Sequence, residues 1–319
     1  MKKINNKDKY LKITNKIPVV TLDEKFNLNY NLLSIKKLFI VKTYAFIKFF
    51  SAFVTIFFNL SRYCNFLKLK NTKKNKKLLI LGGGPSLQKL IDKKNYILKK
   101  NIDLMALSYF KRYGNIKLKP TYILSADPSF LGGGKVNSRF INKKNKQILN
   151  YLKKNSVKLF LPLEKSSYLK RYNLDVNYFI ARSSIFFLKN TNPIMSLSVA
   201  NMSFFNALSI GLFMGYKKIY FLGLDNTYPR DVWVNKGNKL LNIERFANHY
   251  YLADQTKRYK SISDMYSEIS TIFYSLNLYK KYRDKIFNLD SYSLTNTFKK
   301  KNFKDIFILS AKAQKKRKL

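Results

Sequence analysis

Seven short apolar runs constrain the fold of this chain more than any other feature of its sequence. The runs are four to seven residues long, and helix-length segments lie between several of them, at 86–100, 140–155, 196–214 and 260–282. Continuous apolar strands that alternate with helices are typical of a parallel sheet covered on both faces. The sequence therefore predicts an α/β fold with a doubly wound, mostly parallel sheet. The runs are LLIL (78–81), DLMAL (103–107), YILSA (122–126), VKLFL (157–161), VNYFI (176–180), KIYFLGL (218–224) and KIFNL (285–289).

Three of the 11 glycines stand side by side in LILGGGPSL, where the first apolar run ends and a helical pattern begins. Glycine allows a sharp turn and a close approach of a ligand, and a helix N-terminus attracts an anion. Ligands of open α/β sheets bind at the carboxyl ends of the strands. We expect Gly82, Gly83, Gly84 and Ser86 to hold a phosphate or a nucleotide edge, with Ser86 capping the helix. The motif is neither a GxGxxG fingerprint nor a Walker A loop, and a tight structural turn is the alternative.

Two further strand ends deliver polar side chains. In YILSADPSF the apolar run ends at Asp127, with Ser129 two residues later. In KIYFLGLDNTYPRD the run passes a glycine and reaches Asp225, Asn226 and Tyr228. Because parallel strands end at one edge of a sheet, we expect these groups to open into the same crevice as the glycines. For a single aspartate, a turn or helix cap is the alternative.

The charge of the chain is strongly positive, with 62 Lys and Arg against 17 Asp and Glu, formally +45. Lysines are spread over the whole chain and dominate over arginines, whereas nucleic-acid readers more often carry arginine clusters interleaved with aromatics. We therefore predict no nucleic-acid partner. Two interpretations of the positive charge remain. The lysines simply fill solvated surface, or they attract the protein to an anionic membrane.

The chain has one cysteine, Cys64, and one histidine, His249. An internal disulfide is therefore excluded, and a zinc site built from His and Cys lacks its ligands. Any histidine-dependent mechanism would have to use His249.

The segment LFIVKTYAFIKFFSAFVTIFFNL (38–60) is strongly apolar, but Lys42 and Lys48 interrupt it. A central lysine costs a membrane-spanning helix about 2.5–3.5 kcal/mol, so a helix lying in the membrane interface is favoured. Six of the ten residues 68–77 are lysine, and each gains about 1 kcal/mol at an anionic surface. The start of the chain lacks the apolar core of a secretory signal. We expect a cytoplasmic protein, peripheral on the inner face of the cell membrane; a buried helix or a true span are the alternatives.

At residue 78 the sequence changes from a basic and apolar helical segment to alternating apolar runs and helix-length segments. This change predicts three parts of the chain. These are an N-terminal basic and apolar helical segment (1–77), a Rossmann-like nucleotide-binding domain (78–300) and a basic C-terminal tail (301–319).

The motifs LILGGGPSL, KPTYILSADPS, GYKKIYFLGLDNTY, NHYYLAD and DKIFNLDSYSLTNTF follow one another in this order. Their order resembles that of the MptE-like family, named for 6-hydroxymethylpterin diphosphokinases. It is also similar to that of the bacterial sialyltransferases that use CMP-sialic acid. The resemblance covers residues 78–300 and implies a nucleotide-dependent transferase.

The sialyltransferase resemblance implies roles for several residues. The loop Gly82–Gly83–Gly84–Pro85–Ser86 matches the loop that holds CMP. Tyr228 is the nearest candidate for a phosphate-binding tyrosine, two places later than in the sialyltransferases, and Ser203 falls near a small hydroxyl position of the family.

The sialyltransferase resemblance implies that the catalytic base lies in NHYYLAD. His249 matches the first histidine of a His-Tyr-x-x-His arrangement, but the second position is Ala253. The neighbouring Asp254 can accept the proton of an acceptor hydroxyl, and His249 is the alternative base. The departure at Ala253 argues against sialyl transfer in particular.

The two resemblances imply different reactions. A glycosyltransferase would take a nucleotide-activated sugar and a glycan or lipid-linked acceptor, and no cofactor is expected for it. A diphosphokinase would use ATP, with Mg²⁺ held by Asp127 and Asp225. The apolar helix and the polybasic run favour the glycosyltransferase of a surface polysaccharide or glycoconjugate, because a soluble pterin enzyme has no use for them. A non-catalytic module that binds the membrane surface is the third alternative.

Overall fold

The structure is a computed structural model of the 319-residue chain. It describes residues 35–87, 96–107, 118–126, 150–165, 174–181, 189–195, 197, 199, 202–224, 232–234, 240–246, 249–254, 262–290, 293 and 295–309.

A sheet of eight strands, all parallel, forms the centre of the fold, in the order β12-β11-β7-β1-β3-β4-β5-β6. The central strands are almost continuously apolar because both of their faces are buried. The strands are β1 (Lys77–Leu81), β3 (Ile102–Leu107), β4 (Tyr122–Leu124), β5 (Lys158–Pro162), β6 (Val176–Phe179), β7 (Lys218–Leu222), β11 (Ile286–Asn288) and β12 (Lys299–Lys300).

Two smaller sheets accompany it. One pairs β2 (Tyr96–Leu98) with β13 (Phe307–Leu309), and the other contains β8 (Val232–Val234), β9 (Leu240–Phe246) and β10 (His249–Asp254); both are antiparallel.

Four helices are numbered along the chain: α1 (Ile35–Phe58), α2 (Leu60–Leu67), α3 (Ser203–Phe213) and α4 (Ile262–Leu278). One face of the sheet, with Leu78 and Ile80 of β1, packs against α3 and α4. The other face, with Leu79 and Leu81, packs against Leu152 of a helical segment at 150–155 and against the β13 region. The sheet is therefore doubly wound.

The described residues just before β1 pack on the sheet. Phe66 of α2 is fully buried and stacks on Phe213 of α3, with 5.1 Å between ring centroids. The turn after α2 donates backbone hydrogen bonds from Asn71 to Phe213 O and from Lys73 to Met214 O. Helix α1 contacts the end of β5 through a small cluster that includes Ala52 and Leu163.

All seven predicted apolar runs form strands of the main sheet, and the predicted α/β, doubly wound fold is confirmed. The predicted helix over 86–100 is wrong at 96–98, which form β2 because Tyr96–Leu98 pairs with Leu309–Phe307. The apolar segment at 38–60 is helical as predicted. No helix in the part of the chain that the structure describes has both the length and the apolar character needed to cross a bilayer.

Candidate functional site

The glycine loop lies where the chain switches from one face of the sheet to the other. β1 stands between β3 and β7. The connection after β1 passes Leu87 on one face, whereas the connection after β7 contains α4 on the other. The carboxyl ends of β1 and β7 therefore flank a topological switch point, the usual place for a ligand crevice in open α/β sheets.

The two strand ends are bound together through their backbones. Gly82 N donates to Leu222 O and Gly84 N donates to Gly223 O, each at 2.8 Å. Gly223 has a φ of +81°, in the left-handed region that side chains disfavour.

Glycine is required here on both strands. A Cβ built on Gly82 would collide with the carbonyl oxygen of Gly223, and a Cβ on Gly223 would lie 2.7 Å from the oxygen of Gly82. The first glycine of the triplet is therefore needed for the packing of β1 on β7. Gly83 and Gly84 follow beyond the carboxyl end of β1, and both are half-buried.

Ser86 closes the same bend. It lies in a short 3-10 turn, Pro85–Leu87, and its buried Oγ accepts a hydrogen bond from Gly223 N at 2.8 Å. This bond joins two neighbouring strand ends, a role that the helix-cap interpretation did not include. Ser86 thus stabilises the shape of the predicted phosphate loop.

Ser203 lies at the same edge of the sheet. It is the first residue of α3, and its Oγ accepts a hydrogen bond from Ala126 N at 3.0 Å, directly after β4. The bond holds the N-terminus of a buried helix beside the strand end that leads to Asp127. A helix N-terminus carries partial positive charge, so this edge is suited to a negative ligand.

A buried polar group that the sequence reasoning missed follows β11, the neighbour of β7. Asp290 is almost fully buried, and its N–H donates to Oδ1 of Asn288 at 2.9 Å. Nearby, Ser293 Oγ donates to Leu224 O at 3.2 Å, which ties this segment to the residue after Gly223. The rule that selected Asp127 and Asp225, an acid directly after an apolar strand, also selects Asp290.

Five predicted site residues lie outside the described residues. They are Asp127, Ser129, Asp225, Asn226 and Tyr228. The chain enters this group from Ala126 and from Leu224, which follow strands at the same edge of the sheet.

The two candidate bases occupy opposite ends of β10. His249 pairs with Phe246 and Asp254 with Leu241 on β9. Five residues of strand separate their Cα atoms by about 17 Å. At this separation the two residues do not form one catalytic pair, and each stays a separate prediction.

The described residues contain no group of three or more His, Cys, Asp or Glu side chains that could hold a metal ion. Asp127 and Asp225, the predicted Mg²⁺ ligands, are not among these residues. Their role therefore stays a prediction.

A cavity of about 560 Å³ lies at the opposite, amino edge of the sheet, lined in part by Lys73, Lys119, Lys158 and Tyr122. Below it, buried Asp103 accepts from Tyr216 Oη at 2.6 Å and pairs with Lys73 and Lys76 at 3.3 and 3.0 Å. Burial raises the pKa of Asp103, but the hydrogen bonds from Tyr216 and Lys76 and the charge of Lys73 outweigh it, so the pKa is lowered overall. These contacts neutralise the carboxylate.

Comparison with known proteins adds similarity to solved sialyltransferases. CstII from Campylobacter jejuni, in complex with the substrate analogue CMP-3FNeuAc, is 15% identical over 76% of this chain and 99% of its own, with a TM-score of 0.39. The sialyltransferase CST-II in complex with a trisaccharide acceptor and CMP is 17% identical over 76% and 99%, with a TM-score of 0.38. The monofunctional α-2,3-sialyltransferase Cst-I from Campylobacter jejuni is 13% identical over 74% and 85%, with a TM-score of 0.38.

Identities and TM-scores this low do not transfer an activity to this chain. No protein-family model matches it, so membership of the MptE-like family stays a prediction. No curated protein matches it either.

Proposed function

We propose that this protein is a glycosyltransferase that takes a nucleotide-activated sugar, and that the nucleotide is held at the carboxyl ends of β1 and β7. The observation that carries this proposal is the contact of Gly82 with Gly223 at the switch point, which brings two backbones together where open α/β sheets bind nucleotides. The order of the sequence motifs, which resembles that of CMP-dependent sialyltransferases, favours CMP as the nucleotide.

In the proposed reaction the acceptor hydroxyl attacks the anomeric carbon of the donor. The bond from that carbon to the nucleotide phosphate breaks, and the electron pair leaves on the phosphate oxygen. A base, Asp254 or His249, takes the hydroxyl proton. The leaving phosphate gains negative charge, which the backbone N–H of Gly83 and the N-terminus of α3 would stabilise, since the N–H groups of Gly82 and Gly84 join β1 to the end of β7.

The acceptor would be a glycan or a lipid-linked glycan of a surface polysaccharide or glycoconjugate. This assignment, like the position of the protein on the cytoplasmic face of the membrane, rests on the apolar helix α1 and the lysines of 68–77. The alternative function is the MptE-like diphosphokinase, which would transfer pyrophosphate from ATP with Mg²⁺ on Asp127 and Asp225.

Thermal shift of the full chain with CMP, CDP, UDP and ATP–Mg²⁺ tests the proposal. A ligand that binds only the folded state stabilises it by about 2.7 kcal/mol at a concentration of 100 Kd. We expect CMP to raise the Tm without added metal. Stabilisation by ATP–Mg²⁺ alone would favour the diphosphokinase, and no stabilisation by any nucleotide would favour a non-catalytic module.

Substitution of the candidate bases tests the chemistry separately. With a CMP-sugar donor, we expect either Asp254→Ala or His249→Ala to abolish release of CMP while the CMP thermal shift is kept. Asp175→Ala is the matched control, because Asp175 is an exposed acid at the amino end of β6. If both base variants release CMP at the wild-type rate, neither residue is the base.

A further inference from the structure

Helix α1 has two unlike faces. Ala52 and Ile56 pack on a cluster with Leu163 and Ile180. Among the side chains of α1 that the structure describes, seven large apolar residues instead have 42–78% of their surface exposed. At 100° per residue these seven fall within an arc of about 140°, and Ala52 and Ile56 lie on the other side of the helix. The exposed residues, here called the α1 face, are Phe46, Ile47, Phe50, Phe53, Val54, Phe57 and Phe58.

The α1 face is too large to be ordinary surface. Taking about 200 Å² for each aromatic side chain, its five phenylalanines alone expose about 600 Å². The largest apolar patch on a typical soluble monomer is about 300–600 Å². A contiguous face of this size marks a site that another apolar phase covers.

The charge of the chain identifies that phase. Exposed Lys68, Lys70 and Lys74 follow α2, which spans about 12 Å and so places Lys68 about one Debye length from the end of α1. A second copy of this chain would bring the same formal charge of +45 to the contact. An anionic bilayer offers both an apolar layer for the phenylalanines and negative headgroups for the lysines.

The position of α1 relates this face to the crevice. Leu163 directly follows β5, and Ile180 directly follows β6, so α1 packs at the carboxyl edge of the sheet. The bend of Gly82 and Gly223 lies at the same edge, whereas Lys119 lies at the amino edge, beside the start of β4.

We propose that α1 lies in the interface of an anionic bilayer through the α1 face and turns the crevice edge of the sheet toward the membrane. The proposed binding of α1 to the bilayer rests on the exposure of the α1 face and on the positive charge of the lysines that follow α2. Its use for a membrane-linked acceptor rests on the proposed function.

Flotation of the full chain with vesicles tests the docking. The vesicles contain phosphatidylcholine alone or with about 30% phosphatidylglycerol, the anionic lipid that attracts lysines. We expect flotation with the anionic vesicles and a decrease at high salt. Phe50→Glu/Phe57→Glu should weaken partitioning about 1,000-fold, because it removes two apolar rings from the interface and adds two negative charges. Ser61→Glu/Asn65→Glu adds the same charge on exposed positions of α2 but removes no ring, so it should weaken partitioning by about 30-fold at most.

Several outcomes would overturn the proposal. They are no flotation of the wild type, equal flotation of Phe50→Glu/Phe57→Glu, or an equal loss in the α2 control. A dimer or a complex with another protein that is lost in Phe50→Glu/Phe57→Glu, without vesicle binding by the wild type, would assign the α1 face to a protein partner.

The orientation is tested with single fluorophores on vesicle-bound protein. Cys64 is the only cysteine of the chain, so Cys64→Ser gives a background without thiols. On this background we expect a label on Phe57→Cys to be quenched by a lipid-phase quencher and a label on Lys119→Cys to stay accessible to an aqueous one. The reverse pattern contradicts the orientation. A normal CMP thermal shift of Phe50→Glu/Phe57→Glu separates failure of docking from failure of the proposed function.

Discussion

Asp103→Asn should destabilise the protein without touching the crevice. Asp103 is 6% exposed, and its carboxylate has three partners at the amino edge of the sheet: Tyr216 at 2.6 Å, Lys76 at 3.0 Å and Lys73 at 3.3 Å. An asparagine has one acceptor oxygen in place of two. Its amide nitrogen would face the ammonium of Lys76 in one orientation and the ammonium of Lys73 in the other, so a donor would point at another donor in either case.

The magnitude follows from these contacts. A hydrogen bond to a charged group contributes about 1.5–3 kcal/mol. Breaking a fully buried ion pair costs about 3–5 kcal/mol, but Lys73 and Lys76 have 24% and 44% of their side chains exposed, so water screens the pairs. We expect a loss of about 2–3 kcal/mol in the free energy of unfolding, or roughly 4–10 °C in Tm.

The effect should depend on pH in one direction. The pKa of Asp103 is lower in the folded protein than its ordinary value, because its hydrogen bonds and the charge of Lys73 outweigh burial. A depressed carboxylate pKa gives stability that is fully present above the unfolded pKa, near 3.9, and is lost as the pH falls through the folded pKa. The difference between wild type and Asp103→Asn should therefore be constant from about pH 7 to 5 and shrink below about pH 4.

Urea unfolding of both proteins at several pH values measures this difference. Asp284→Asn is the matched control, because Asp284 pairs with Lys299 at 2.7 Å on the exposed surface, and its loss should not be measurable. Tyr216→Phe combined with Asp103→Asn should cost less than the sum of the single losses, since the two share a bond. Equal stability of wild type and Asp103→Asn, or a difference that grows on acidification, would refute the reasoning.

Two further predictions concern the crevice. Gly223→Ala should cost about 2–4 kcal/mol and abolish the CMP thermal shift, because its Cβ meets the backbone of Gly82 and its φ is +81°. Gly211→Ala, whose Cβ meets only the movable side chains of Leu78 and Ile219, should cost about 1 kcal/mol or less and keep the shift; equal effects of the two would contradict this. Ser86→Ala should cost about 1–3 kcal/mol, because it leaves the N–H of Gly223 without its oxygen, and should weaken CMP binding. Unchanged urea unfolding of Ser86→Ala would contradict the role given to that bond.

The main sheet was predictable because strands that are buried on both faces consist of continuous runs of apolar residues. The short strands were not, since β12 is only Lys299–Lys300 and β2 reads as part of a helix. Their pairing depends on partners far away in the chain, such as β13 for β2. Length and local pattern carry no signal for such contacts.

The site was predictable in place but not in detail. The glycine triplet indicated a bend at a strand end, yet its contact with Gly223, 141 residues later (223 minus 82), depends on β7 lying beside β1. Ser86 was selected as a ligand and cap, and its bond to Gly223 depends on the same pairing. Asp290 directly follows the apolar run of β11, so the sequence carries the same signal for it as for Asp127 and Asp225.

The two edges of the sheet have different roles in the molecule. At the amino edge, Lys73 and Lys76 neutralise Asp103, so these two cations stabilise the fold. At the carboxyl edge, the bend of Gly82 and Gly223, the N-terminus of α3 and the packing site of α1 lie together. Substitutions at the amino edge should therefore change the free energy of unfolding while CMP affinity is kept. Substitutions of the exposed α1 residues should change membrane binding while the free energy of unfolding and the CMP affinity are kept. Only at the crevice should stability and CMP affinity change together, because the backbone that we propose to bind the nucleotide also joins β1 to β7.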